Sequence, residues 1–290
     1  MGNRPTRSGV NRRGKSMSES CSHDCSHCSQ NCGSRTAESL LVPQNAQSDI
    51  KKVIAVVSGK GGVGKSMVTS LLACAMNQRN QSVALMDADV TGPSIPKMFG
   101  LHTHAMADDN GIFPVPSETG IKVMSLNLLV ENETDPVIWR GPVVTGLINQ
   151  FWKDVYWGNV DTMFIDCPPG TGDVPLTVFQ SIKIDGIIIA ATPQELVSMI
   201  VTKAVNMAKM MNIPIIGVVE NMSYLRCPDC GREIEVFGKS HTAEAAAEHG
   251  LEVLDRIPID PNLAALSDAG RIEDADTSVL ANTIDKILSL

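Results

Sequence analysis

The sequence predicts an α/β fold built on one doubly wound, mostly parallel sheet, and three observations predict it. Short β-branched runs alternate with helical patterns from Lys51 onward. Several of those runs are apolar on successive residues, as strands buried on both faces are. Between the first run and the first helical pattern lies a glycine-rich loop ending in Lys-Ser, an arrangement that cradles phosphates at a helix N-terminus.

The expected strands are Val53–Ser58, Ser82–Asp87, Lys122–Leu126, Thr162–Asp166, Gly186–Ala191, Ile215–Glu220 and Glu252–Ile257. The expected helices are Lys65–Arg79, Pro142–Asp154, Val174–Ser181, Glu195–Met211, Ser240–Glu248 and Thr277–Ser289. Ligands of such a sheet bind at the carboxyl ends of its strands. Residues 17–50 are rich in Ser, Cys, Asn and Gln and hold too few large apolar side chains to build a core. The expected division is a disordered, Cys-rich tail over residues 1–50 and a P-loop ATPase domain over residues 51–290. Residues 1–16 carry Arg4, Arg7, Arg12, Arg13 and Lys15 but only Met1 and Val10 for an apolar face. They read as a disordered arm rather than a transit peptide, with Met17 as an alternative start.

Composition narrows the function. Of the 290 residues, 43% are hydrophobic, enough for a sizeable core. A net charge of −8 supplies no general basic field, so no nucleic-acid partner is expected. Apolar runs such as Ile187 to Ala191 are too short to span a bilayer, and the first residues lack the apolar stretch of a secretory signal. A cytoplasmic protein without a membrane partner is the expectation. In that setting closely spaced cysteines read as metal ligands rather than disulfides.

Gly59-Lys60-Gly61-Gly62-Val63-Gly64-Lys65-Ser66 satisfies the Walker A pattern in full and is followed by Met67 at the start of the helical run. Backbone N–H groups of the loop face phosphate oxygens, Lys65 reaches the β and γ phosphates of ATP, and the Ser66 hydroxyl binds Mg²⁺. Lys60 is a second lysine in the loop and marks the deviant form of the motif. Thr162-Met163-Phe164-Ile165-Asp166 is an apolar strand ending in an acid, as a Walker B strand does, which casts Asp166 as the Mg²⁺-side carboxylate. Asp87 and Asp89 follow another strand and fall at the same edge, where the γ phosphate is expected. Pro168 to Asp173 has the proline and glycine content of a loop that changes shape with that phosphate.

Eight cysteines are distributed unevenly. Cys227-Pro228-Asp229-Cys230 has the two-residue gap that turns both sulfurs toward one ion, and zinc or an iron–sulfur cluster suits such thiolates. It supplies two ligands where a [4Fe–4S] cluster takes four. Cys21, Cys25, Cys28 and Cys32 supply four thiolates by themselves, spaced more like a ferredoxin run than a zinc ribbon, with zinc as the alternative. His23 and His27 read as bystanders. Cys74 and Cys167 read as small buried side chains.

The phrases Ser58 to Ser66, Asp87-Ala88-Asp89 with Gly92-Pro93-Ser94, Trp139-Arg140-Gly141-Pro142, Asp166 to Asp173, Glu220-Asn221-Met222-Ser223 and Cys227-x-x-Cys230 together resemble the Mrp/ApbC-type iron–sulfur carriers. These are relatives of MinD and ParA with a SIMIBI-type P-loop fold, and the likeness runs from about Val53 onward. It implies an ATP-dependent homodimer that bridges a labile [4Fe–4S] cluster between the Cys227 and Cys230 pairs of two chains and passes it to apoproteins. It also implies that Lys60 crosses to the partner's nucleotide, that Asp89 positions the attacking water and that Asn221 contacts adenine. The tail cysteines depart from the family pattern. A MinD-like positioning ATPase is the competing reading, but residues 271–290 offer no basic amphipathic face for it. A nucleotide-regulated zinc protein is the third.

Overall fold

The computed structural model describes residues 41–290, apart from Thr91, Pro93, Asn110, residues 131–140, Thr171 and residues 195–196. Cys21, Cys25, Cys28 and Cys32, residues 1–40 of the expected tail, and Trp139 and Arg140 all fall outside the described residues.

One eight-stranded sheet organises the chain. Its strands are β1 (Val53–Val57), β2 (Val83–Asp87), β3 (Val115–Pro116), β4 (Lys122–Met124), β5 (Thr162–Asp166), β6 (Gly186–Ala191), β7 (Ile215–Glu220) and β8 (Val253–Arg256). They lie in the order β8-β7-β6-β1-β5-β2-β4-β3, all parallel except the antiparallel β3–β4 edge. The helices are α1 (Lys65–Asn77), α2 (Ile95–Met98), α3 (Gly141–Lys153), α4 (Asp173–Ser181), α5 (Val197–Met210), α6 (Thr242–Ala247), α7 (Pro261–Asp268) and α8 (Ala281–Leu288).

Alternation along the central strands creates two apolar cores. Val53, Ala55 and Val57 of β1 face one of them, with Phe151 of α3, Val178 of α4 and Val201 of α5. Ile54 and Val56 face the other, with Leu71 and Leu72 of α1 and Ile284 of α8. Period-two side-chain direction in strands that carry helices on both faces gives this layering. No described helix is long and apolar enough to cross a membrane.

The expected start at Lys51 moves upstream. Asp49–Ile50 pairs in parallel with Asn159–Val160. Val42 donates its N–H to the Ser181 carbonyl and accepts from the Trp152 indole. A two-residue strand and a few extended residues lack the periodicity that marks a longer element, so this segment reads as tail in the sequence. The expected helix at Thr277–Ser289 resolves into a 3₁₀ turn at Ser278–Leu280 followed by α8.

Candidate functional site

The carboxyl edge of the sheet gathers the charged residues. Gly64 sits at φ 74°, the left-handed region that glycine enters without strain, and ends the loop from β1 into α1. A Cβ there would lie 2.2 Å from Asn221 Nδ2, so the position also has no room for a side chain. Asn221 follows β7 and donates from Nδ2 to the Val63 carbonyl at 2.9 Å. That bond fixes the loop against the next strand end.

β1, β5 and β2 are adjacent, and the register places Asp87 beside Asp166. Lys65, the first residue of α1, lies 2.7 Å from Asp166 Oδ1 and 3.9 Å from Asp89 Oδ2. Asp166 also accepts from the Ser66 hydroxyl at 2.6 Å and the Thr69 hydroxyl at 2.8 Å. Asp87 is buried, accepts from Ser125 Oγ at 3.0 Å and receives the Asp89 N–H at 3.1 Å. Burial and then the neighbouring Asp166 carboxylate push Asp87 well above the usual carboxylate range, against the opposing pull of Lys65 and the Ser125 hydroxyl. Asp87 is not among the residues that line the cavity above this cluster.

Above this cluster opens a cavity of about 460 Å³, within the size range of small-molecule sites. The loop from Lys60 to Met67 forms its floor, with Asp89, Pro169 and Asn221 at its sides. Gly59 precedes that floor. Lys60 directs its ammonium to the Gln194 amide oxygen of its own chain. Lys65 in turn holds the two acids rather than pointing into open solvent. Gly170, at φ 89°, donates to the Ser58 carbonyl at 2.8 Å and so ties the proline–glycine loop to the P-loop strand.

One wall of this cavity was missed in the sequence: Met222, Pro258, Ile259, Asp260, Leu263 and Ala264. The last three belong to the start of α7, where the Asp260 carboxylate caps Asn262 N at 2.8 Å and Pro261 opens the helix. Asp-Pro at a helix entrance is a readable start signal. Eight residues with little amphipathic contrast hide the helix that follows it.

Cys227 and Cys230 occupy the tip of an exposed antiparallel hairpin in which Leu225 pairs with Ile234 and Arg226 with Glu233. The turn closes through Cys227 N to the Arg232 carbonyl and Gly231 N to the Cys227 carbonyl, both 2.9 Å. The Cys230 and Asp229 backbone N–H groups and the Cys230 thiol hold the Cys227 thiol below its ordinary value. Ile234, Val236 and Phe237 stand exposed on the same segment. Cys167, by contrast, is pushed up to about 12 by burial, and Cys74 is raised further by burial. Both are core thiols, as expected.

A glycine-rich loop between the central strand and α1, acids on the two neighbouring strand ends and a cavity above them define a P-loop nucleotide-binding protein. The model of the NUBPL iron-transfer P-loop NTPases matches residues 49–289, and the chain belongs to that family. The iron–sulfur cluster carrier protein of Methanocaldococcus jannaschii is 50% identical over 240 residues, which are 80% of this chain and 83% of the relative. A nucleotide-binding protein of Archaeoglobus fulgidus, solved in complex with ADP, is 44% identical with a TM-score of 0.71, over 78% of this chain and 89% of that one. The cell-division ATPase MinD of Pyrococcus furiosus shares the fold at 18% identity and a TM-score of 0.57, over 82% of this chain and 98% of its own.

Proposed function

We propose that the protein is an ATP-hydrolysing carrier that holds a [4Fe–4S] cluster between the Cys227 and Cys230 pairs of two chains and delivers it to apoproteins in the cytoplasm. The observation that carries the reading is the pair Cys227, half-buried, and Cys230, exposed, on a hairpin tip of a P-loop domain. One chain offers two ligands there and a cubane takes four, so a two-fold axis completes the set. Support comes from the family, from relatives named for this activity and from the apolar Ile234, Val236 and Phe237 beside the cysteines, which suit a second copy.

The chemistry at the nucleotide follows from the charges already assembled. Lys65 exchanges the Asp166 carboxylate for the β and γ phosphate oxygens of ATP, a charge-assisted contact of the same kind. Asp89, on the cavity wall, orients the attacking water. Lys60 exchanges Gln194 for the nucleotide of the partner chain. Ser66 and Asp166, oxygen donors 2.6 Å apart beside the loop, fit a hard divalent cation and are the residues that would hold Mg²⁺. When bound, that ion neutralises phosphate charge. Gly59 to Met67 supply the cradle and Asn221 the adenine side.

Anaerobic reconstitution with iron and sulfide tests the reading. Replacing both Cys227 and Cys230 by serine is expected to abolish transfer to an apoprotein while ATP binding persists. Zinc uptake alone, with no iron or sulfide retained, would overturn it.

A further inference from the structure

The nucleotide cavity and the cysteine cavity share a wall. After β7 the chain runs through Asn221, Met222, Ser223 and Tyr224, and after β8 it runs through Ile257, Pro258 and Ile259. Three backbone bonds lace these segments together: Ile257 N to the Glu220 carbonyl at 2.8 Å, Ser223 N to the Ile257 carbonyl at 2.9 Å, and Ile259 N to the Tyr224 carbonyl at 2.7 Å. Asn221, Met222, Pro258 and Ile259 line the nucleotide side. Tyr224 and Arg256 line the other side, a cavity of about 650 Å³ that also holds Cys227 and Cys230.

Arg256 joins the two sides. Its Nε donates to Ser223 Oγ at 2.7 Å and to Glu220 Oε1 at 3.3 Å, and its guanidinium lies 5.6 Å from the centre of the Tyr224 ring. The Glu220 side chain is only 2% exposed and accepts from the Ser223 and Ser240 hydroxyls as well. Burial raises the Glu220 carboxyl, but these hydroxyls, Thr242 and Arg256 outweigh it and hold the group below its ordinary value. Between the bonded residues, Met222 takes φ 54°, a left-handed conformation that a methionine adopts only when its surroundings impose it.

We propose that Arg256 is a positioning residue that couples nucleotide occupancy to the placement of the cysteine pair. A nucleotide pressing on Asn221 and Met222 moves Ser223 and Tyr224 with them, because the wall is laced on both strands. Arg256 carries that shift to Tyr224 and so to the base of the hairpin, three residues before Cys227. The inference rests on the reading of Cys227 and Cys230 as a metal–sulfur site. Coupling of this kind is reciprocal, so metal at the cysteines changes nucleotide affinity by the same factor.

The test uses the full chain with Cys21, Cys25, Cys28 and Cys32 replaced by serine, titrated with cobalt(II) under anaerobic conditions. Thiolate-to-cobalt absorption gives the metal affinity with and without saturating Mg-ADP. The ratio of the two is expected to depart from one by at least about fivefold. Arg256→Lys keeps the charge but loses the planar stack and the Nε bonds. Tyr224→Leu removes the ring from beneath the guanidinium. In both variants the ratio is expected to fall within about twofold of one, below the usual range of coupling strength. ADP affinity measured without metal reports that each variant is folded. A parent ratio of one, or a parent-like ratio in both variants, overturns the coupling and leaves the cysteine reading standing. Absence of thiolate-to-cobalt absorption in the parent overturns the cysteine reading and the coupling together.

Discussion

Replacing Lys65 by alanine is expected to weaken the nucleotide-free fold as well as nucleotide binding. The ammonium is 5% exposed, 2.7 Å from Asp166 and 3.9 Å from Asp89, while Asp87 stands beside Asp166 in the sheet. Three carboxyl groups therefore converge around one cation. Removing one member of a buried ion pair costs about 3–5 kcal/mol, because the remaining charge stays buried without its partner. The Ser66 and Thr69 hydroxyls still donate to Asp166, which places the expected loss near the lower end, about 3 kcal/mol. Urea unfolding at pH 7 without nucleotide measures it. Adding Asp166→Asn removes the carboxylate left without its cation and recovers part of the loss. A stability within about 0.5 kcal/mol of the parent, the range of an ordinary surface substitution, refutes the reasoning.

Other residues give equally direct expectations. Asp89→Ala is expected to slow ATP hydrolysis while largely sparing ATP binding, since its proposed partner is water; turnover at the parental rate removes that role. Gly64→Ala combines positive-φ strain of about 1–2 kcal/mol with displacement of Asn221, so ATP affinity measured by calorimetry drops about tenfold or more. The lowered Cys227 thiol is expected to alkylate with a pH midpoint below that of a free cysteine, about 8.5, and a midpoint at or above that value contradicts the turn geometry. Glu220 is held below its usual 4.5, so its stabilising contribution is complete above that pH and is lost as pH falls through the lower folded value. Glu220→Gln therefore costs stability at pH 7 and less in acid. Deleting residues 1–36 is expected to remove about four irons per chain if Cys21, Cys25, Cys28 and Cys32 hold a cluster of their own; full retention of iron assigns it elsewhere.

The central strands were legible because Ile54, Phe164 and Ile188 sit in unbroken apolar runs, which strands buried on both faces require. The Walker loop was legible because its glycines and lysine have a fixed spacing. Short elements were not. The hairpin around Cys227 and Cys230 pairs only two residues on each strand, too few for alternation to show. The cavity wall at Pro258 to Ala264 arises where β8 and α7 meet, a contact that lies in the tertiary packing. Sequence spacing also does not show which side chain a charged group pairs with. Lys65 on Asp166 and Lys60 on Gln194 are set by the low cost of pairing within a half-dry pocket, which no motif encodes.

Iron, sulfide and solution mass measured together test the central claim most directly. The material is the full chain with Cys21, Cys25, Cys28 and Cys32 replaced by serine, reconstituted anaerobically with iron and sulfide. About two irons and about two sulfides per chain, in a dimer that reverts to monomer when Cys227 and Cys230 are also replaced, is the predicted result. A monomer carrying a full cluster, or a dimer that holds zinc and no iron or sulfide, contradicts it.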